Sequence, residues 1–232
     1  MYLTQILLNM MNSKLSKVLV VVFLIVSILD VVAVAMHYPV MQAVFKPMIM
    51  LSLMAAYYFS VPKINFLYLL AMAFSFLGDV LLMDKNNLFL PGIAAFLCTQ
   101  LIYIYIIQKR LKKVNLKDLL LSIVPFLLFF SVLISILLKN LGEFTIPVMV
   151  YGMAISIFGM AALLLYLQYR NFSTRLLLWG SILFIVSDSM IALQKFHSPR
   201  HFYPVAIMAT YVIAQFLIFR YMIAPQEEAK II

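Results

Sequence analysis

Two aspartates lie in matching segments of apolar sequence, and carboxyls there are suited to proton transfer. Asp79 follows Gly78 and precedes an apolar half-turn, and Asp188 follows Ser187 in the same pattern 109 residues further on. A charged side chain at the bilayer centre costs about 2.5–3.5 kcal/mol on insertion scales. A purely structural pair would match a carboxylate with a cation rather than with another carboxylate. We therefore expect Asp79 and Asp188 to define a buried active site.

Further polar residues are predicted to lie near the aspartates. They are Asp30, Lys46, Gln100, Tyr103, Tyr211 and Gln215. Tyr211 and Gln215 are one helical turn apart, and Gln100 and Tyr103 share one face of their helix. The glutamines and tyrosines have an ordinary role in hydrogen bonding between helices. Lys46 either takes part in the site or extends to the membrane interface from a helix end, with Asp30 as a structural ion-pair partner.

No metal or cofactor site is expected. His197 and His201 have the spacing of metal ligands on a helix, but Pro199 lies between them in a loop. Cys98 has no second cysteine to pair with. The sequence contains no glycine-rich phosphate loop and no hydrolase nucleophile motif.

The composition is that of a protein embedded in a membrane. Of 232 residues, 66% are hydrophobic and 11% charged, and the mean hydropathy is +1.09. The net charge of +9 comes from Lys and Arg between the apolar runs, which indicates membrane orientation rather than nucleic-acid binding. We expect an all-α bundle of eight transmembrane helices forming one domain over residues 1–232. The spans are predicted at 18–36, 45–60, 64–83, 88–107, 119–138, 146–167, 176–193 and 203–223, followed by a polar tail from Pro225.

Charge between the spans predicts the orientation. Twelve of the seventeen Lys and Arg fall on the side of the N-terminus and five on the opposite side. By the positive-inside rule, both termini are expected to face the cytoplasm in a multi-pass cell membrane protein. The first span resembles a secretory signal, but its length and the spans that follow favour an uncleaved helix. The aspartates would then lie in the outer half of the bilayer.

The 109-residue offset also carries the third span onto the seventh and the fourth onto the eighth, in the same direction. This pattern fits two four-helix repeats. Lys46, however, falls on Ile155. The offset therefore does not predict two equivalent sites.

Several motifs along the chain point to one family: Lys46-Pro47, residues 74–82 (FSFLGDVLL), residues 92–96 (GIAAF) with Tyr103, Ser187-Asp188, and residues 210–215 (TYVIAQ). On these motifs the chain resembles, over nearly its whole length, the YhhN family of eight-span membrane proteins. Characterised members are lysoplasmalogenases, so the resemblance implies hydrolysis of a vinyl ether by two carboxyls. The implied partners are a lysophospholipid-type substrate and membrane lipid. Similar sequences usually carry His where this chain has Gln100; glutamine can replace a hydrogen-bonding histidine but not one that transfers protons.

Two alternatives remain at the level of sequence. Intramembrane carboxylates and parallel repeats also occur in transporters, although neither Asp segment contains a proline or a paired-glycine break. A family member without catalytic activity is the other alternative, because of Gln100. The headgroup, the physiological lipid, the acid among the two aspartates and the oligomeric state do not follow from the sequence.

Overall fold

The structure is a computed structural model that describes residues 2–84 and 87–224, with side chains from residue 14 onward. The described residues form eight α-helices, two single 3-10 turns and no strand. The helices are α1 (Tyr2–Ala35), α2 (Pro39–Ser60), α3 (Phe66–Leu81), α4 (Phe89–Gln108), α5 (Leu116–Leu137), α6 (Thr145–Tyr169), α7 (Phe172–Phe196) and α8 (Tyr203–Ile223). The predicted tail from Pro225 lies outside the described residues.

The predicted all-α bundle is confirmed, with differences in the helix bounds. Seven described helices are long and apolar enough to cross a membrane, and α3 is shorter at 16 residues. The helix α1 begins well before the predicted span, at Tyr2. The prediction that Lys46 opens the second span is wrong, because α2 begins two turns earlier at Pro39 and continues through Pro47. Proline at the first helical position is favourable, since its missing N–H would have no intrahelical partner there.

Local sequence signals fix several helix ends. Asparagine side chains cap three odd-numbered helices: Asn65 accepts from the N–H of Leu67 at 3.1 Å, Asn115 from Asp118 at 2.7 Å, and Asn171 from Thr174 at 2.8 Å. Such caps satisfy backbone donors that the first helical turn leaves free.

Seven helices pack side by side in a closed ring, in the order α1, α2, α3, α4, α6, α7 and α8, with α8 returning to α1. The remaining helix, α5, lies outside the ring and packs on α6 and α7. Large apolar side chains of α5 are exposed, among them Leu120, Leu127 and Leu128. Exposed apolar surface on a helix of this length suits contact with lipid. The interior of the ring therefore holds the polar side chains and α5 extends the apolar surface.

Candidate functional site

Asp79 lies inside the ring, two residues before α3 ends, with only 4% of its surface exposed. Its carboxylate accepts a hydrogen bond from the Tyr211 hydroxyl of α8 at 2.6 Å. Gln215, one turn along α8, donates to the same hydroxyl at 3.3 Å. The predicted pairing of Tyr211 and Gln215 on one face of their helix thus leads directly to Asp79.

The Asp79 network continues away from the carboxylate into α3 and α4. Gln215 also donates to the Ser75 hydroxyl at 3.1 Å and accepts from the Tyr103 hydroxyl at 3.3 Å. Ser75 donates in turn to Thr99 at 3.2 Å. All of these side chains are buried. Because a buried polar network of this kind rigidifies its members, Asp79 is held in a defined orientation.

Asp188 lies in α7, eight residues before the end of this helix, and is 8% exposed. Its carboxylate accepts a hydrogen bond from the Tyr151 hydroxyl of α6. The preceding Ser187 donates to the carbonyl of Ile207 at 3.0 Å and ties α7 to α8. The two aspartates therefore lie at different distances from their helix ends, two residues for Asp79 and eight for Asp188.

The two carboxyls lie within electrostatic range of each other. Phe96 of α4 lies near both, beside Tyr211 and beside Asp188. Its ring packs so closely on Gly78 that a Cβ there would lie 2.6 Å from the ring. The same ring makes an edge contact with Tyr211 at 6.0 Å and lines a cavity beside Asp188. The small residue before Asp79 therefore provides the space for this aromatic ring.

Two cavities adjoin the site. One of about 30 Å³ is lined by Asp188, Tyr151 and Phe96, and Asp79 is not among the described residues that line it. The other, of about 190 Å³, is lined by Lys46 and Gln42 together with the ends of neighbouring helices. Leu82 lines both cavities and is 3% exposed. Its side chain is therefore part of the wall that separates them.

Lys46 is partly buried in the larger cavity and lies within electrostatic range of Asp79 and Asp30. Asp30 is fully buried, and its two carboxylate oxygens have no hydrogen-bond partner among the described residues. The predicted structural ion pair of Asp30 with Lys46 is thus not formed as a hydrogen-bonded contact. Because two turns of α2 precede Lys46, its ammonium lies away from the start of the helix and closer to the carboxyls.

Gln100 differs from the other predicted polar residues. Its side chain is fully buried on α4, beside the Tyr151 hydroxyl, but neither amide atom has a hydrogen-bond partner within the described part of the chain. Interhelical hydrogen bonding was expected for four residues and is present for Tyr103, Tyr211 and Gln215. For Gln100, the neighbouring Tyr151 hydroxyl donates to Asp188 instead, so interhelical hydrogen bonding at this position stays a prediction.

One functional candidate was missed in the sequence. Tyr151, the donor to Asp188, is one of thirteen tyrosines and lies in an apolar run with no polar neighbour one turn away. Tyr211 could be found because Gln215 follows it by one turn. Tyr151 has no such signal, since the Gln beside it, Gln100, comes from a different helix.

The fold and these side chains define a class: a polytopic helical membrane protein with a pair of buried carboxyls inside a ring of helices. Both carboxyls lie on helices that continue without a break through Asp79 and Asp188. Comparison with known families goes one step further. The sequence model of the YhhN family matches residues 41–222, and the chain belongs to this family. Comparison with curated proteins and with solved structures gave no match.

Proposed function

We propose that this protein is a hydrolase that cleaves the vinyl ether bond of a lysoplasmalogen within the membrane, giving a fatty aldehyde and a glycerophospho-base. The observation that carries the proposal is the pair of buried carboxyls, each accepting a hydrogen bond from a tyrosine and each within electrostatic range of the other. Membership of the YhhN family, which is linked to hydrolase activity, supports it. Asp79 and Asp188 are the proposed catalytic residues.

The chemistry of vinyl ethers requires an acid and a stabilising anion. A carboxylic acid protonates the alkene carbon that does not bear oxygen, so that a C–H bond forms, the π bond is lost and an oxocarbenium ion remains. The second carboxyl, as its anion, stabilises this cation and takes a proton from the attacking water. The hemiacetal then collapses to aldehyde and alcohol, and the proton from water returns to the acid. One water is consumed.

The geometry suggests how the two carboxyls divide the work. Asp188 borders a cavity and is the proposed proton donor, since an acid must touch the alkene carbon. Asp79, held by Tyr211 and close to Lys46, is the proposed stabilising carboxylate. The Phe96 ring contacts Tyr211 and lines the Asp188 cavity, and we propose that it moves aside when one vinyl ether binds between the two carboxyls. The unpaired amide of Gln100 is available to hydrogen-bond water or the substrate.

The 190 Å³ cavity beside Lys46 is the proposed position of the headgroup phosphate, because the Lys46 ammonium lines it and lies within electrostatic range of Asp79. Leu82 separates this cavity from the one at Asp188, so a bound lysolipid has to displace it to extend from one to the other. Apolar side chains around both cavities suit the single hydrocarbon chain.

The decisive experiment incubates purified protein with a 1-alkenyl lysophospholipid and with its 1-acyl counterpart, and measures aldehyde release. We expect aldehyde from the alkenyl lipid alone. Asp188→Asn serves as the inactive control, because an amide cannot donate the proton. If neither lipid reacts while the protein in vesicles carries protons or cations in an Asp188-dependent way, the transporter function replaces the hydrolase.

The orientation is also a proposal: both termini face the cytoplasm, which places Asp79 and Lys46 towards the outer surface. Single cysteines at Ser198, in the connection between α7 and α8, and at Lys113, between α4 and α5, test it after Cys98 is replaced. An impermeant thiol reagent should label Ser198→Cys from outside and Lys113→Cys only from inside. The reverse labelling pattern would invert the topology.

A further inference from the structure

A large cavity lies at the other end of the ring from Lys46, between α1, α2 and α8. Its volume is about 760 Å³, within the range of small-molecule sites. It is bordered by Ser60 at the end of α2, whereas Lys46 lies in the first half of the same helix. It is likewise bordered by Arg220 near the end of α8, whereas Pro204, at the start of α8, lines the Lys46 cavity. The two cavities therefore occupy opposite ends of the same helices.

The mouth of this cavity is positively charged. Lys17 and Arg220 both line it and both have exposed side chains, and none of the described residues that line it is acidic. Ser16 and Ser60 share a hydrogen bond beside the two cations, and Ser60 also donates to the carbonyl of Ala56 at 2.6 Å. The two hydroxyl protons are thus used in hydrogen bonds within α1 and α2, and the two cations at this opening form a suitable environment for a phosphate group.

The remainder of the cavity is apolar and leads towards the middle of the membrane. Val20 and Val21 follow Lys17 by about one turn of α1, and Phe216 precedes Arg220 by one turn of α8. The Arg220 guanidinium lies 6.0 Å from the centre of the Phe216 ring, which stacks on Phe219. Val21 is 53% exposed, so this wall is continuous with the surface that faces lipid. The cavity thus changes from cationic to apolar along the direction in which a phospholipid lies.

We propose that this cavity binds an anionic phospholipid of the surrounding membrane, with the headgroup phosphate between Lys17 and Arg220 and an acyl chain along Val20, Val21 and Phe216. Basic pockets between transmembrane helices on the cytoplasmic side are suited to such headgroups. The charge count places this end of the ring on that side. The site is separate from the carboxyl pair and independent of the hydrolase proposal.

The test measures binding of dioleoyl phosphatidylglycerol to the full chain by native mass spectrometry, with dioleoyl phosphatidylcholine as the neutral lipid. The wild-type protein should prefer the anionic lipid, and the double variant Lys17→Gln/Arg220→Gln should bind it roughly 30-fold more weakly, as expected for the loss of two cations near a membrane surface. The matched control, Lys113→Gln/Arg175→Gln, removes one exposed Lys and one exposed Arg on the same predicted side but outside the cavity. It should retain wild-type binding.

Three results would overturn the proposal: equal binding of the two lipids by the wild-type protein, equal weakening by the control pair, or displacement of the lipid by millimolar inorganic phosphate. The first two would show that the bound lipid does not recognise this opening, and the third that phosphate alone occupies it. The comparison of lipids on the wild-type protein remains informative even if the double variant does not fold.

Discussion

Asp79 and Asp188 each lie beside a tyrosine and a glutamine, but the hydrogen bonds within the two sets of side chains differ. At Asp79, Gln215 donates to Tyr211 and Tyr211 donates to the carboxylate. At Asp188, Tyr151 donates to the carboxylate, but the neighbouring Gln100 stays without a hydrogen-bond partner among the described residues. A network in which every donor and acceptor is hydrogen-bonded holds its carboxyl in one orientation, whereas an amide without partners can hydrogen-bond water or a ligand.

The two hydrogen-bond networks differ because their tyrosines come from α8 and α6, and the 109-residue offset between the Asp segments does not carry one of these helices onto the other. The Asp79 partner lies on α8, and 109 residues before Tyr211 the chain has Ile102 on α4. The Asp188 partner lies on α6, and 109 residues before Tyr151 it has Gln42 on α2. Neither tyrosine has a counterpart in the other half. Matching Asp segments therefore place two carboxyls in the ring, while neighbours that the offset does not relate give them different hydrogen-bond partners.

Replacing either carboxyl tests whether both act in one reaction, and it should have the largest effect on activity. Asp79→Asn and Asp188→Asn keep the size of the side chain but remove its proton and its charge, so each should lower kcat/KM for vinyl ether hydrolysis by about 10²-fold or more. The double variant should be little worse than either single one, since groups that act as a unit are not additive.

The control for these variants is Asp118→Asn, which changes a carboxylate in the first turn of α5 and should leave activity unchanged. Thermal unfolding in detergent would verify that the variants fold. Full hydrolysis by either single variant would show that the two carboxyls do not form a catalytic pair.

The two tyrosines should sharpen the contrast, because their loss is expected to affect different quantities. Tyr211→Phe breaks two buried hydrogen bonds and should lower the free energy of unfolding by about 1–3 kcal/mol. Tyr151→Phe breaks one bond beside a cavity and should lower kcat about 10-fold with a smaller loss of stability. Kinetics and thermal unfolding of both variants distinguish the outcomes; the reverse pattern would exchange the roles given to the two sets.

Lys46 offers a finer test, since it lies within electrostatic range of Asp79 and lines the proposed headgroup cavity. Lys46→Gln should raise KM for the lysolipid about 5-fold, the loss expected for one phosphate contact near a membrane surface, and should change kcat less. Lys139→Gln, an exposed lysine on the same predicted side, is the matched control. A fall in kcat without a change in KM would show that Lys46 acts on the charge of Asp79 rather than by binding the substrate.

The smallest effect is expected at position 100. If the residue there only forms hydrogen bonds, Gln100→His should leave turnover within a few-fold of the parent. Gln108→His, on the exposed end of the same helix, controls for an added imidazole. A gain on the order of 10²-fold would mean that a proton-transferring group is missing beside Tyr151, and that this chain is a weakened catalyst.

The helices could be predicted from the sequence because hydrophobic runs of about 20 residues are a direct consequence of bilayer thickness. The third to eighth predicted spans match helices to within four residues at both ends, and α8 agrees without a difference. The start of α2 was misplaced because Gln42 interrupts the apolar pattern and because proline is disfavoured inside a helix, where it removes a hydrogen bond and clashes with the preceding turn. The helix α2 nevertheless continues through Pro47.

The candidate site was predictable in part. Carboxyls and amides within apolar runs stand out because burying them is costly, which is how Asp79, Asp188 and Gln215 were found. The position of α5 outside the ring, and with it the choice of α6 as the source of Tyr151, depends on how helices pack. Packing is decided by small differences in side-chain shape, such as the close fit of Phe96 on Gly78. The hydrophobic pattern of the sequence does not predict such fits.

The shortness of α3 has a consequence for the membrane itself. Its 16 residues extend about 24 Å, against a hydrocarbon thickness of about 30 Å. A helix that falls short of its bilayer draws the two surfaces together around it. Asp79, two residues from the end of α3, therefore lies closer to water than a carboxyl at the same position in a full-length span.

This hydrophobic mismatch couples the site to the composition of the host bilayer. Lipids with shorter acyl chains relieve the mismatch at α3, and lipids with longer chains increase it. Acyl-chain length in a reconstituted bilayer is therefore expected to change how far Asp79 lies from the membrane surface.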